Sequence, residues 1–277
     1  MDHDVVGGIC FLATMDDVTD LNLSSGEGWI STAKSYHDLA TRNQIQTNNW
    51  RSDAKIAKGK GRLGDALHFG STSKRVLFYK AEEFHNGMRD VVADWTVTMS
   101  VWVRMPKDAG DRAAEINRHA ILFQLTQAAS TGPTLTVEHV RQGDDPSVEP
   151  TNELRLVLTK QPRDLGDNDD GARTLVRVKR SPLTDGHWHH LVLSIGHENV
   201  NANEKNNGQS SGIATLYLDG RRLGRCGMDL PMPFDRTKGS LVLGHGFVGY
   251  LDHLWMTQDV LSDQEVRRTY ERPELFR

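Results

Sequence analysis

"WTVTMSVWVRM", residues 95–105, alternates without a break: Trp95, Val97, Met99, Val101, Val103 and Met105 share one parity, and Thr96, Thr98, Ser100, Trp102 and Arg104 the other. Side chains along a strand point to opposite faces in turn, so this pattern predicts a long β-strand with one face in a core. A helix would scatter the same apolar groups around its circumference. The pattern recurs along the chain. "ELRLVLTK" (153–160) carries it on Leu154, Leu156 and Leu158, and "ARTLVRVK" (172–179), "ATLYLDG" (214–220) and "SLVLGHGFVGYLDHLWM" (240–256) repeat it. Turn-forming stretches lie between these runs: "QGDDPSVEPTN" (142–152), "QPRDLGDNDDGA" (161–172), "NVNANEKNNGQSSG" (199–212) and "PMPFDRTKG" (231–239). Only "LSDQEVRRTYERP" (261–273) reads as a helix, with Ser262 and Glu265 spaced as a capping box and Pro273 as its stop. The expectation is an all-β, two-sheet antiparallel sandwich with long loops and a short C-terminal helix.

Composition narrows the function classes. The 277 residues suit one large all-β domain. A formal net charge of −4 gives no global positive field to attract nucleic acid, and 25% charged with 37% hydrophobic residues fits a globular chain rich in loops. No apolar run approaches the ~18 residues of a membrane-spanning helix. "MDHDVVGGICFLATMDD" (1–17) carries Asp2 and Asp4 where a secretory signal has Lys or Arg, and Gly7 and Gly8 break its apolar run. The expected setting is therefore the cytosol or a particle assembled there, or an extracellular one if the chain is a mature fragment. Cys10 and Cys226 match no metal-site spacing and no disulfide framework, leaving a single bridge open.

Six stretches in order carry a family resemblance: "FLATMDD" (11–17), "GDALHF" (64–69), "WTVTMSVWVRM", "DGHWHHLVLSI" (185–195), "ATLYLDGRRLG" (214–224) and "GSLVLGHGFVGYLDHLWMTQDVLSDQEV" (239–266). The series resembles the laminin-G-like jelly roll of the concanavalin A-like lectin/glucanase superfamily, over about residues 8–271. The resemblance implies one domain spanning 1–277, with two curved antiparallel sheets of ~12–14 strands in all. The stretch 27–64 then reads as a long loop insertion. Its "SDAKIAKGKGRLG" holds Lys55, Lys58, Lys60 and Arg62, either a solvated loop or a contact for an anionic partner.

The resemblance also implies candidate sites. A structural calcium in such domains sits between the acidic end of the first strand, here Asp16 or Asp17, and Asp252 of "GYLDHLW", with backbone carbonyls completing the oxygen shell. Leu23 before "SSG" departs from the family's acidic residue there. The three histidines of "DGHWHH" belong to a recurring structural strand. His187 and His189 fall on one face, ~6–7 Å apart, and could give zinc two ligands without a third in view. Recognition in jelly rolls uses the concave sheet and the loops at its rim, so Trp102, Arg104, Tyr250 and Trp255 are the ligand-binding candidates. Trp102 has two readings: its polar neighbours Thr98, Ser100 and Arg104 suggest a recognition face, and the family resemblance suggests the inter-sheet core.

The catalytic motifs of the superfamily's hydrolases are not legible. No strand carries the Glu-x-Asp-x-(x)-Glu alternation that sets two carboxylates ~5.5 Å apart, and HExxH and the G-x-x-x-x-G-K-[ST] phosphate loop are missing. "DLGDNDDG" (164–171) has the wrong glycine register for a calcium loop. The leading expectation is a non-catalytic recognition module binding a carbohydrate or a surface protein. A structural or decoration protein of a virion, a phage head or tail in contact with other subunits, is the second. A polysaccharide-active hydrolase or lyase is the third.

Overall fold

The computed structural model describes residues 9–16, 37–38, 43–44, 54–70, 77–80, 96–107, 117–126, 133–142, 151–159, 172–197, 211–231 and 240–276. Two antiparallel sheets face each other. Edge to edge, the larger one runs β14 (Arg221–Pro231), β13 (Ser211–Leu218), β12 (His189–His197), β7 (Val97–Arg104), β16 (Gly249–Thr257), β5 (Ala66–Phe69) and β4 (Ala54–Ala57). β1 (Ile9–Ala13) continues the edge beyond β5, pairing with the C-terminal half of β16. The smaller sheet runs β11 (Ala172–Lys179), β10 (Thr151–Thr159), β9 (Thr134–Gln142), β8 (His119–Thr126), β15 (Ser240–His245) and β6 (Leu77–Lys80). A separate two-stranded ladder joins β2 (His37–Asp38) to β3 (Asn43–Gln44). The expected all-β jelly-roll sandwich is the observed one.

Parity builds the core. Val97, Met99, Val101, Val103 and Met105 enter the space between the sheets with Leu191, Leu193 and Ile195 of β12, and Leu154, Leu156 and Leu158 of β10 close it from the other side. Each fully buried side chain of this kind contributes ~1.5–3 kcal/mol relative to exposure. Trp95, Asp17 and most of the four turn-forming stretches lie outside the described residues.

Two features of the last strands were not legible as a single alternating run. Residues 240–256 make two strands in different sheets: β15 pairs with β8 and β6, and β16 with β7, β5 and β1. The chain crosses between layers at residues 246–248. Gly249, at φ +148°, allows the crossing, because a Cβ there would stand 2.4 Å from the Arg104 carbonyl oxygen. β16 then carries a bulge. Asp252 faces Trp102 and Trp255 faces Ser100, so three steps on β16 match two on β7, with His253 at φ +51° taking up the extra residue. The bulge shifts parity: Leu251, Leu254 and Met256 point into the core, and Asp252 and Trp255 to the outer face.

The stretch 27–64 also differs from a plain loop. Its residues 54–57 form β4, paired in register with β5 as an edge of the larger sheet. The turn that follows, 58–65, folds back toward Asp252.

The outer face of the larger sheet is partly roofed. Helix α1 (Asp263–Glu271) starts at Ser262, whose hydroxyl accepts from the Glu265 N–H while the Glu265 carboxylate accepts from the Ser262 N–H, the expected capping box. Leu261 and Val266 pack on Leu12, Val192, Tyr217 and Trp255 as a second apolar cluster. Tyr217 donates its hydroxyl proton to Asp263 at 2.9 Å, and Tyr270 stacks on Trp102 at 5.7 Å between ring centres.

Candidate binding face

Register places one row of side chains across the open end of that outer face. Lys55 pairs with His68, His68 with Tyr250, and Tyr250 with Arg104. His189 pairs with Val103, so Trp188, one residue earlier, stands beside Arg104. Neighbouring strands lie ~4.8 Å apart, so the five side chains form a continuous line over β4, β5, β16, β7 and the entry to β12. Lys55 is exposed and the other four are half-buried.

The contacts along the row join rings and a guanidinium. His68 stacks on Tyr250 with ring centres 4.4 Å apart. The Arg104 guanidinium lies 4.2 Å from the Tyr250 ring centre and 5.2 Å from that of Trp188, and Trp188 meets Tyr250 edge-on at 6.3 Å. Cation–π attraction holds the guanidinium against both rings without neutralising it. Among the described residues, the Arg104 guanidinium has no acidic partner, and the Tyr250 hydroxyl, the Trp188 indole N–H and the His68 ring make no hydrogen bond. Burial, followed by the charges of Lys55 and Arg104, holds the pKa of His68 below its ordinary value.

The covered end of the same face holds the other two ligand-binding candidates. Trp102 is 2% exposed and Trp255 1%. Trp102 does not enter the inter-sheet core, as the resemblance implied; it lies on the opposite face, under Tyr270, with the Arg62 guanidinium 5.0 Å above its ring. His190 beside it is fully buried and hydrogen-bonded through Nε2 to the Ser100 hydroxyl at 2.7 Å, and burial pushes its pKa down to about 3. Both tryptophans are packing residues with no ring face left for a ligand. Of the four candidates, Arg104 and Tyr250 come together in the open.

His187 and His189 separate. His187 is exposed and precedes β12. His189 is buried, and both of its ring nitrogens are engaged: Nδ1 with Asp219 at 2.8 Å and Nε2 with Asp185 at 3.0 Å. Burial alone would lower its pKa, but the two carboxylates outweigh burial and raise it. Asp219 and Gly220, at φ +51° and +72°, form the two-residue type I′ turn between β13 and β14, and Asp219 also accepts the His190 N–H at 2.9 Å. "DGHWHH" is thus a structural staple at His189 and contributes Trp188 to the open row.

The acidic candidates do converge. Asp252 Oδ2 accepts from Arg62 N at 2.6 Å and Leu63 N at 3.0 Å, and Asp16 Oδ1 accepts from Asp65 N at 2.8 Å. The His253 N–H also bears on the Asp252 carboxylate, but buried Oδ1 has no hydrogen bond of its own. Burial first, and the charge of Asp16 as a lesser cause, push the Asp252 pKa up to about 7. Among the described residues no three His, Cys, Asp or Glu side chains gather as a metal site. Cys226 is a free thiol, so no bridge joins it to Cys10.

No family model matches the sequence, that of the laminin-G domain included, and no curated protein matches it. Solved structures do. Domain 4 of AbnA, a GH43 extracellular arabinanase from Geobacillus stearothermophilus, in complex with arabinotriose, aligns over 94% of this chain and 97% of that one, at a TM-score of 0.52 and 15% identity. The binding domain of Paraclostridial Mosquitocidal Protein 1 aligns at a TM-score of 0.53 and 11% identity, over 96% of this chain and 52% of that one. This chain therefore spans about half the length of the second structure. The β-sandwich fold is shared.

Sequence reasoning missed Trp188 and His68. Alternation within "DGHWHHL" gives Trp188 the parity of His190, but only the pairing of β12 with β7 sets it beside Arg104. His68 carried a fainter signal, as the one polar residue inside "ALHF" (66–69). No helix among the described residues is long and apolar enough to cross a membrane.

Proposed function

We propose that this protein is a non-catalytic recognition module that binds carbohydrate through the row His68, Tyr250, Arg104 and Trp188. The observation that carries the reading is that these rings and this guanidinium are half-exposed, mutually ordered, and without polar partners among the described residues. Aromatic faces stack on the C–H faces of sugar rings, and preset N–H and O–H donors bond hydroxyls at little cost in side-chain ordering. The arabinotriose in the similarly folded arabinanase domain supports a saccharide over a protein as ligand. A non-catalytic role is supported by the acids of the smaller sheet. Buried Glu153 is bound to Arg155 at 2.7 Å, and buried Glu138 is hydrogen-bonded to His119 at 2.8 Å with Arg155 at 3.9 Å, so each has a structural partner. On a glycan array, saturable binding to one saccharide class is expected, with Trp188→Ala weakening it at least tenfold while lowering the melting temperature by no more than ~3 °C. Full binding by that variant would overturn the site.

We also propose a structural calcium held by Asp16 and Asp252, with Asp17 outside the described residues. The orphaned Oδ1 and the raised pKa of Asp252 fit a cation that would neutralise a buried carboxylate and share backbone carbonyl oxygens. Calcium would tie β1 to β16 and play no chemical part in binding at Arg104. The expected result is a melting temperature that rises on adding Ca²⁺ and falls with EDTA in the wild type, and does neither in Asp252→Asn. A wild type indifferent to both would end the proposal.

A further inference from the structure

We infer that the saccharide recognised by this row is acidic, with a carboxylate or sulfate group seated on the free edge of the Arg104 guanidinium and a sugar ring stacked on Trp188. The inference rests on the glycan reading above and adds the charge of the ligand.

Charge inventory is the first support. Three of the five positions in the row, Lys55, His68 and Arg104, are cationic or can become so, and none is acidic. Among the described residues, the three acids within three positions of the row, Asp65, Asp185 and Asp252, are all occupied, Asp65 by the Gly59 N–H. Asp252, two residues beyond Tyr250, accepts the Arg62 and Leu63 N–H groups through Oδ2, and Asp185 holds the His187 N–H and His189. A neutral saccharide would leave the positive end of this face uncompensated.

The presentation of Arg104 is the second. A guanidinium has five N–H donors in one plane, and its fork matches the paired oxygens of a carboxylate or sulfate. Tyr250 and Trp188 hold the Arg104 Cζ 4.2 and 5.2 Å from their ring centres, and its N–H groups are uncommitted among the described residues. An arginine placed only for packing would be expected to find a carboxylate or carbonyl; this one is ordered by rings that cannot accept its protons in the plane.

His68 gives a signature that packing alone would not produce. It faces Lys55 on β4, Tyr250 on β16 and Arg104 on β7, and the two cations, after burial, keep it neutral near pH 7. An anion seated on Arg104 would offset those charges, so the His68 pKa should rise on binding. Binding should then take up protons and strengthen as pH falls from 7 toward 5.

The test is calorimetric titration at 0.15 M NaCl, where attraction to the exposed Lys58 and Lys60 is screened. The probes are tetragalacturonate and its fully methyl-esterified form, and a sulfated galactan tetrasaccharide and its desulfated form. At least tenfold tighter binding of one charged probe over its neutral counterpart is expected, and which pair responds identifies carboxylate or sulfate as the source. Arg104→Met, which keeps the stem between the rings, should abolish that difference. Arg104→Lys should restore only part of it, because a point charge replaces the fork. In ¹H–¹³C NMR titrations, the His68 ring should titrate at higher pH with the charged probe present. Equal binding of charged and neutral probes would overturn the acidic ligand and leave the glycan reading standing. Binding by no probe, or binding that persists in both Arg104→Met and Trp188→Ala, would overturn both.

Discussion

Trp102→Ala should destabilise the protein by ~3–5 kcal/mol, the range for truncating a buried Trp or Phe, and lower the melting temperature by roughly 6–15 °C. Trp102 is 2% exposed and packs against Tyr270, at 5.7 Å, and His190, at 4.8 Å, with the Arg62 guanidinium 5.0 Å from its ring centre. Removing the indole leaves a cavity under α1 that a helix anchored by Leu261 and Val266 can close only partly. Trp188→Ala, on the same outer face, is half-buried and should cost under ~1 kcal/mol. The two variants together make the argument about the face testable. Thermal unfolding followed by near-ultraviolet circular dichroism measures both. If their melting temperatures fall by equal amounts, the division into a roofed end and an open end is wrong.

Asp219→Asn should cost roughly 2–3 kcal/mol at pH 6, and the deficit should shrink as the pH rises. Asn tolerates the left-handed φ of +51° and keeps the hairpin, so the change removes charge rather than the turn. The lost interaction is the charge-assisted hydrogen bond to His189, whose ring is 8% exposed. Asp219 is 27% exposed, and solvent screening at its outer edge keeps the expected value below the 3–5 kcal/mol of a fully buried broken pair. The sign follows from His189. Its folded-state pKa is raised above the ordinary 6.5. Its contribution is therefore fully present below pH 6.5 and is lost as the pH climbs through the folded value. Denaturant unfolding of wild type and variant from pH 5.5 to 9 should show a constant gap at the acid end that narrows toward the alkaline end. A gap that widens with pH would mean His189 is neutral in the folded protein.

Much of the fold was legible because strand parity is a local property. "WTVTMSVWVRM" assigned Val97, Met99, Val101 and Val103 to the core, and each is buried there. Ser262 and Glu265 announced the helix start, since a capping box needs only residues three apart. The candidate site was legible in part. Arg104 and Tyr250 were named, but with Trp102 and Trp255, which face the same way and are sealed. The family resemblance sent Trp102 to the inter-sheet core, and the run 240–256 carries the alternating pattern with no sign of its division between two sheets. Neither the crossing at Gly249 nor the bulge at His253 has a pattern that alternation can express, because both depend on which sheet the next residues join.

The sequence by itself determined that this chain folds as two antiparallel layers, which side chains lie between them, and where the last helix begins. Those outcomes follow from side-chain alternation and capping chemistry within a few residues. Only the tertiary structure decided which outward-facing residues meet solvent. Trp102 and Arg104 are two positions apart on β7, yet α1, some 160 residues later, covers one and leaves the other open. Whether a face is covered depends on long-range packing, and the row from His68 to Trp188 exists only because four segments distant in the chain lie side by side in register.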